Sequence, residues 1–321
     1  MHIHLCDAGS DRGQYDLLAQ EQYQSHLCSY AYADGPLVSY ENTWKKMVQI
    51  YLAGHPSQKK EIQYASMGPI ENHLTTYADP LEVKNKEKVI QRQIAENSLG
   101  EGVLPRVIID SGAFSAFASN RIVHPQEYAQ WAIQFDAKWR SHLKSLLFMN
   151  LDVIGDQDAT WKNQKLLEKL GMNPMPIVTH GVDLSHLDRA LEGYDYIALG
   201  GLVPHTRQRK KLEAWLDPCF SRVMAYFKKT KKLRKVHLLG ITSEWVLQRY
   251  PLYSCDSSSW TSCLRFGGGT ASGIKHLPRY KESDGALAAN IHNLRSEVKK
   301  FQKMQIDSTN LWKSRGITWD D

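Results

Sequence analysis

The sequence predicts an α/β fold of parallel strands joined by crossover helices. From about residue 105 onward, short runs rich in branched apolar side chains alternate with segments of helical period. Strands buried on both faces read as continuous apolar runs, and their alternation with helices requires parallel pairing. A polar residue or a glycine closes nearly every run, the place where such folds carry chemistry.

The predicted strands are Val107–Ile109, Leu146–Leu151, Pro176–Thr179, Tyr196–Leu199, Val236–Ile241 and Leu252–Cys255. The first helix among them covers 126–139 after Pro125, a favourable first-turn residue, with Tyr128, Trp131, Ala132, Phe135 and Trp139 on one face. A second covers 159–170 and stops at Gly171, with Asp156 and Asp158 as caps. Helices over 211–229 and 243–250 fill the later gaps. Cys28–Ala33 is a candidate seventh strand, ahead of a helix-like stretch over Asn42–Leu52. An open doubly wound sheet fits six strands; a closed barrel of eight needs one more, from the N-terminal segment or from beyond residue 256. Residues 54–105 are polar and lysine-rich (Lys59, Lys60, Lys84, Lys86, Lys88), and read as an insertion after the first strand. A last helix over about 284–304 aligns Leu287, Ile291, Leu294, Val298 and Phe301, and the tail beyond Gln305 carries no signal. The whole chain, 1–321, reads as one domain with that insertion.

Composition narrows the function. Hydrophobic residues make up 42% and aromatic ones 10%, too many for a wholly disordered chain. The mean hydropathy is −0.45 and no stretch has the ~18 apolar residues of a membrane span, so no membrane partner is expected. The first thirteen residues hold two His and two Asp where an export signal needs an apolar run. Five scattered cysteines without a CxxC pair argue against a disulfide framework and a four-cysteine zinc knuckle, and predict a cytoplasmic protein. No GxGxxG follows a strand, which leaves dinucleotide binding without support. The net charge is +6, a polyanion signal only where it clusters.

The run endings are Asp110, Asp152, His180, Gly200-Gly201 and Asp256. Each alone fits a helix N-cap. Three carboxylates at equivalent strand ends predict one site.

Several segments resemble the tRNA-guanine transglycosylases. Asp110-Ser111-Gly112-Ala113-Phe114 is similar to the family's DSGG(F/Y), and Leu151-Asp152 to its strand-end aspartate. Ile177 to Gly181 resembles IVQGG, Ala198 to Leu202 AIGGL, and His237 to Ile241 a strand ending LMGV. Tyr253 to Ser257 resembles the FDC segment that bears the nucleophile, with Cys255 and Asp256 in reversed order, and Ile291 to Leu294 the late HNL. The motifs keep the family's order over about 107–295.

The resemblance implies a (β/α)8 TIM-type barrel that exchanges a guanine base in a nucleic acid. Asp256 would attack the ribosyl C1′ and Asp110 would shuttle protons. Asp152 would accept from guanine N1 and N2, Gly200, Gly201 and Leu202 would frame the base, and Phe114 and Leu239 would sandwich it. The resemblance implies a 7-deazaguanine such as preQ0 as the incoming ring. Thr179-His180 replaces the glutamine of IVQGG and Val203-Pro204-His205 follows GGL, where the family reads the base, so that ring is expected to differ from queuine. The family's zinc cysteines are absent. Cys263, His276 and His292 make at most a degenerate metal site, and no cofactor is expected.

Cations cluster in three places. Lys228 to Lys235 enter a strand from its N-terminal side, away from the strand ends. Arg207, Arg209 and Lys210 follow the GGL strand, and Arg265, Lys275 and Arg279 follow Asp256. The latter two groups are expected to hold phosphates. Chains lacking the zinc cysteines and an RNA-binding appendage, with SYAYA (Ser29 to Ala33) near the start, are similar to the viral-type enzymes that modify DNA in phage. DNA is therefore the expected substrate, reached by base flipping, with tRNA the alternative. Two rivals stand beside it. One is a metal-dependent amidohydrolase barrel using His2, His4, His180, His237 and Asp256, although His237 would begin its strand at the wrong barrel end. The other is a catalytically silent nucleic-acid binder.

Overall fold

Eight parallel strands alternate with helices in the computed structural model, which describes residues 48–53, 72–98, 104–119, 121–261 and 286–319. The strands are β1 (Gln49–Ala53), β2 (Asn72–Thr76), β3 (Arg106–Asp110), β4 (Ser145–Phe148), β5 (Ile177–Thr179), β6 (Tyr196–Gly200), β7 (Lys235–Leu238) and β8 (Ser254–Ser257). Their order is β4-β3-β2-β1-β8-β7-β6-β5, and every neighbouring pair is parallel. The outer strands meet at a Met149–Met175 bridge, where Met175 N–H donates to Phe148 O at 2.7 Å and Asn150 N–H to Met175 O at 3.0 Å. The sheet thus curls into the (β/α)8 TIM-type arrangement, and the open-sheet alternative falls away.

The chain divides into two compact units. Residues 46–54, 71–258 and 303–321 form the barrel unit; residues 1–45, 55–70 and 259–302 form the other. The barrel's inner layer is Tyr51, Leu74, Ile108, Met149, Met175, Ile177 and Ala198, contributed by successive strands and the Met149–Met175 bridge. The alternate residues Val107, Ile109, Leu146 and Phe148 face outward, into a cluster with Tyr128, Phe135, Trp139 and Leu167 of the surrounding helices.

Helix α1 (Pro80–Ser98) and β2 correct the expected insertion over 54–105, since 72–98 is a regular strand and helix of the barrel. The pattern was hidden because β2 buries polar groups. His73 is fully buried with its Nε2 2.7 Å from Gln93 Oε1 of α1, and Asn72 donates to Gln305 Oε1 at 3.0 Å. The helix-like reading of Asn42–Leu52 is also corrected, because Gln49–Ala53 is β1. Gln49 stays buried by bonding the Tyr253 hydroxyl at 2.8 Å. The candidate strand Cys28–Ala33 lies outside the described residues.

The remaining helices are α2 (Ala113–Ala118), α3 (Pro125–Trp139), α4 (Gln157–Lys169), α5 (Ser185–Gly193), α6 (Arg209–Thr230), α7 (Glu244–Arg249) and α8 (Ala286–Ser314). Asp156 is the cap of α4, accepting from Ala159 N–H at 2.8 Å; Asp158 lies inside its first turn instead. Helix α8 runs ten residues past the predicted end. Its inner face continues as Phe301, Gln305, Ser308 and Trp312, all buried. Gln305 accepts from Ile50 N–H at 3.0 Å, Thr309 from Val48 N–H at 2.8 Å, and Trp312 donates to Leu247 O at 2.7 Å. Polar side chains that serve the edge of β1 carry no hydropathy signal, which is why the tail looked featureless. No helix among the described residues is long and apolar enough to cross a membrane.

Candidate active site at the strand ends

Parallel pairing puts the C-terminal ends of all eight strands on one face of the barrel. Asp110 is the last residue of β3, aligned with Thr76 of β2, whose hydroxyl lies 3.5 Å from Asp110 Oδ2. Asp110 also adds its charge to the burial that raises the Tyr128 phenol well above its ordinary value.

Asp152 follows β4 and its bridge. Its side chain keeps an opening to solvent, yet protein atoms crowd the carboxyl closely, and this desolvation pushes its pKa up to about 6 against a partial offset from a backbone hydrogen bond.

Asp256 is the third residue of β8, inside the strand where the sequence placed it just beyond. It is buried. Its Oδ1 accepts from Gly240 N–H at 2.8 Å and faces His237 Nε2 at 3.3 Å. Gly240 presents that N–H from a left-handed turn (φ +72°) that carries the chain out of β7.

His237 corrects the sequence reading. It is the third residue of β7, fully buried, and sits against Asp256. The paired register of β7 and β8 sets His237 opposite Ser254, and their side chains meet at 2.5 Å. The Tyr196 hydroxyl of β6 bonds the same Ser254 oxygen. Ser254 and Tyr196 were missed. Strand alternation was the available signal, since residues 254 and 256 must share a face.

Gly200 and Gly201 press against the end of β5. A Cβ at Gly201 (φ +70°) would stand 2.9 Å from Thr179 Cγ2, and one at Gly200 would stand 3.2 Å from Leu239 Cδ1. Leu239 therefore lies over the β6 end, packed on the inner cluster. Leu202 is fully buried, so its side chain meets protein. Phe114 is 54% exposed, which removes core packing as its role. His180 accompanies His205 (ring centroids 4.3 Å apart) and Trp215 (5.1 Å), and burial lowers its pKa.

Arg207 and Lys210 are exposed between β6 and the first turn of α6. Arg209 instead pairs with Glu213 at 2.9 Å and covers the Trp245 ring. The dense basic run lies at the opposite barrel face, where buried Arg234 bonds Leu191 O, Asp195 and the Tyr226 hydroxyl. Arg265, Lys275, Arg279, Cys263, His276, His2 and His4 lie outside the described residues, as does the His292 side chain. Among the described residues no group of three or more His, Cys, Asp or Glu side chains is arranged to hold a metal.

The fold and this face define a (β/α)8 barrel with three strand-end carboxylates, one of them backed by a histidine. No family model matches the chain, and no curated protein does. A solved structure titled "Native KDPGal structure" is similar at a TM-score of 0.37 and 11% identity, over 79% of this chain and 95% of that one. A likeness that loose carries no inference about activity.

Proposed function

We propose that the barrel is an enzyme, a transglycosylase that exchanges guanine in DNA for a 7-deazaguanine such as preQ0. The observation that carries this reading is the set of three carboxylates at the ends of β3, β4 and β8, each in a different environment. Base exchange needs those separate roles. An Asp256 oxygen attacks C1′ and the C1′–N9 bond breaks, giving a glycosyl ester. Asp110 gives its proton to the departing guanine and then takes one from the incoming ring. That ring attacks C1′, the ester bond breaks, and Asp256 returns as a carboxylate. Two inversions restore the anomeric configuration.

Asp152 suits the base-reading role. Its carboxyl is costly to ionise in the free protein, and the N1–H and N2–H donors of guanine would satisfy the ionised form. The chemistry of Phe114 and Leu239 suits the two faces of a flat ring: one exposed, one fixed over Gly200. Exposed Arg207 and Lys210 supply phosphate contacts beside the β6 end.

The test supplies the protein with DNA or tRNA carrying labelled guanine, plus preQ0. Release of guanine from DNA, lost in Asp256→Asn, is the expected result. Release from tRNA alone would move the substrate to RNA. Absence of exchange on both nucleic acids, with a divalent-ion-dependent hydrolysis in its place, would favour the amidohydrolase reading that the His237–Asp256 contact leaves in play.

A further inference from the structure

The geometry points to His237 as a positioning residue that holds Asp256 Oδ1 and leaves Oδ2 to attack, with Ser254 and Tyr196 fixing the tautomer that does so. This rests on Asp256 being the nucleophile, and adds which oxygen acts and what orients it.

Both contacts to the carboxylate fall on one oxygen. Gly240 N–H and His237 Nε2 meet Oδ1 at 2.8 and 3.3 Å, while Oδ2 has no hydrogen-bond partner among the described residues. An oxygen whose lone pairs are engaged by two donors is the poorer nucleophile, so the free one carries the reactivity. For this to hold, Nε2 must bear the proton. A backbone N–H can only donate, and an unprotonated Nε2 would turn its lone pair toward the same carboxylate.

The rest of the chain of contacts supplies that proton placement. His237 is fully buried, and its Nδ1 lies 2.5 Å from Ser254 Oγ. In the tautomer that carries its proton on Nε2, Nδ1 is left as the acceptor. Ser254 O–H therefore donates to Nδ1, and Ser254 Oγ accepts from the Tyr196 O–H that it touches. Tyr196 suits the far end because burial raises its pKa well above the ordinary value and keeps the phenol a donor. The donors run one way: Tyr196 to Ser254, Ser254 to His237, His237 to Asp256. The Tyr51 ring lies edge-on to the imidazole, its centroid 6.0 Å away. A line of polar groups through three adjacent strands, ending on a strand-end carboxylate, exceeds what packing needs beside an inner layer that is mostly Leu, Ile, Met and Ala.

Two measurements on the full chain test this. In the protein with 15N-labelled histidine, the His237 resonances, assigned by their loss in His237→Gln, should show Nε2 protonated and Nδ1 as acceptor. Ser254→Ala should shift that balance. In single-turnover reactions with guanine-containing DNA, His237→Phe should slow ester formation about 100-fold with DNA affinity within about threefold of the parent. His237→Gln, which keeps a donor near the Nε2 position, should recover most of that loss. A proton on Nδ1, or equal rates for His237→Phe and His237→Gln, would overturn the inference. Should the Nε2–H tautomer be found in a protein that forms no ester with DNA or tRNA, the hydrogen-bond relay stands and the transglycosylase reading fails.

Discussion

Replacing Asp152 by asparagine should stabilise the protein at neutral pH while removing its ability to hold guanine. The Asp152 carboxyl has its pKa pushed from an ordinary 3.8 to about 6 by desolvation. Below pH 3.8 the group is protonated both folded and unfolded, and acidity makes no difference to folding through it. As pH rises toward 6, the unfolded chain ionises Asp152 freely while the folded protein resists. Folding stability falls over that window and stays lowered above it. At about 1.4 kcal/mol per tenfold change in proton affinity, the cost reaches about 3 kcal/mol, less whatever the opening to solvent relieves. Asparagine has nearly the same shape and never ionises. The difference in urea-unfolding free energy between Asp152→Asn and the parent should therefore grow from pH 4 to pH 6 and level off at about 2–3 kcal/mol. A difference that ignores pH, or a variant less stable than the parent at pH 8, would refute the reasoning. If guanine binds the ionised form as proposed, base affinity in the parent should rise with pH through about 6.

Gly240→Ala would set a Cβ 2.4 Å from Val203 Cγ2 at φ +72°, and should lower stability by about 1–3 kcal/mol in thermal unfolding. Gln305→Ala removes the acceptor for Ile50 N–H and Asn72 Nδ2, both buried, and should cost about 1–3 kcal/mol in urea unfolding. Arg207→Ala combined with Lys210→Ala should weaken DNA binding and reduce the slope of log affinity against log salt by about 2. A slope unchanged in the double variant would remove these residues from the phosphate contacts.

Strands β3 to β8 were legible because Val107–Ile109 or Tyr196–Leu199 show continuous apolar runs, as burial on both faces demands. β1 and β2 were not. Gln49, Asn72 and His73 are buried polar residues that bond partners well separated along the chain, and hydropathy cannot see such partners. The overlooked signal was Asp79-Pro80 ahead of Val83 and Ile90, a helix start inside the supposed insertion. Of the site, the carboxylates were visible as strand endings. Their ±2-residue uncertainty hid the rest: ending β8 at Cys255 made Asp256 a loop residue, and drawing β7 as Val236–Ile241 placed His237 at the wrong end. Shifting β8 by two residues and ending β7 three residues earlier brings the two side chains together.

The central claim is that Asp256 forms a covalent bond to a nucleic-acid sugar. Incubation with guanine-containing DNA, denaturation, digestion and mass measurement of the peptide bearing residue 256 tests it most directly. A peptide heavier by the attached nucleotide, absent in Asp256→Asn and discharged by added preQ0, is the predicted result. An unmodified Asp256 peptide from a reaction that nonetheless releases guanine would contradict the account.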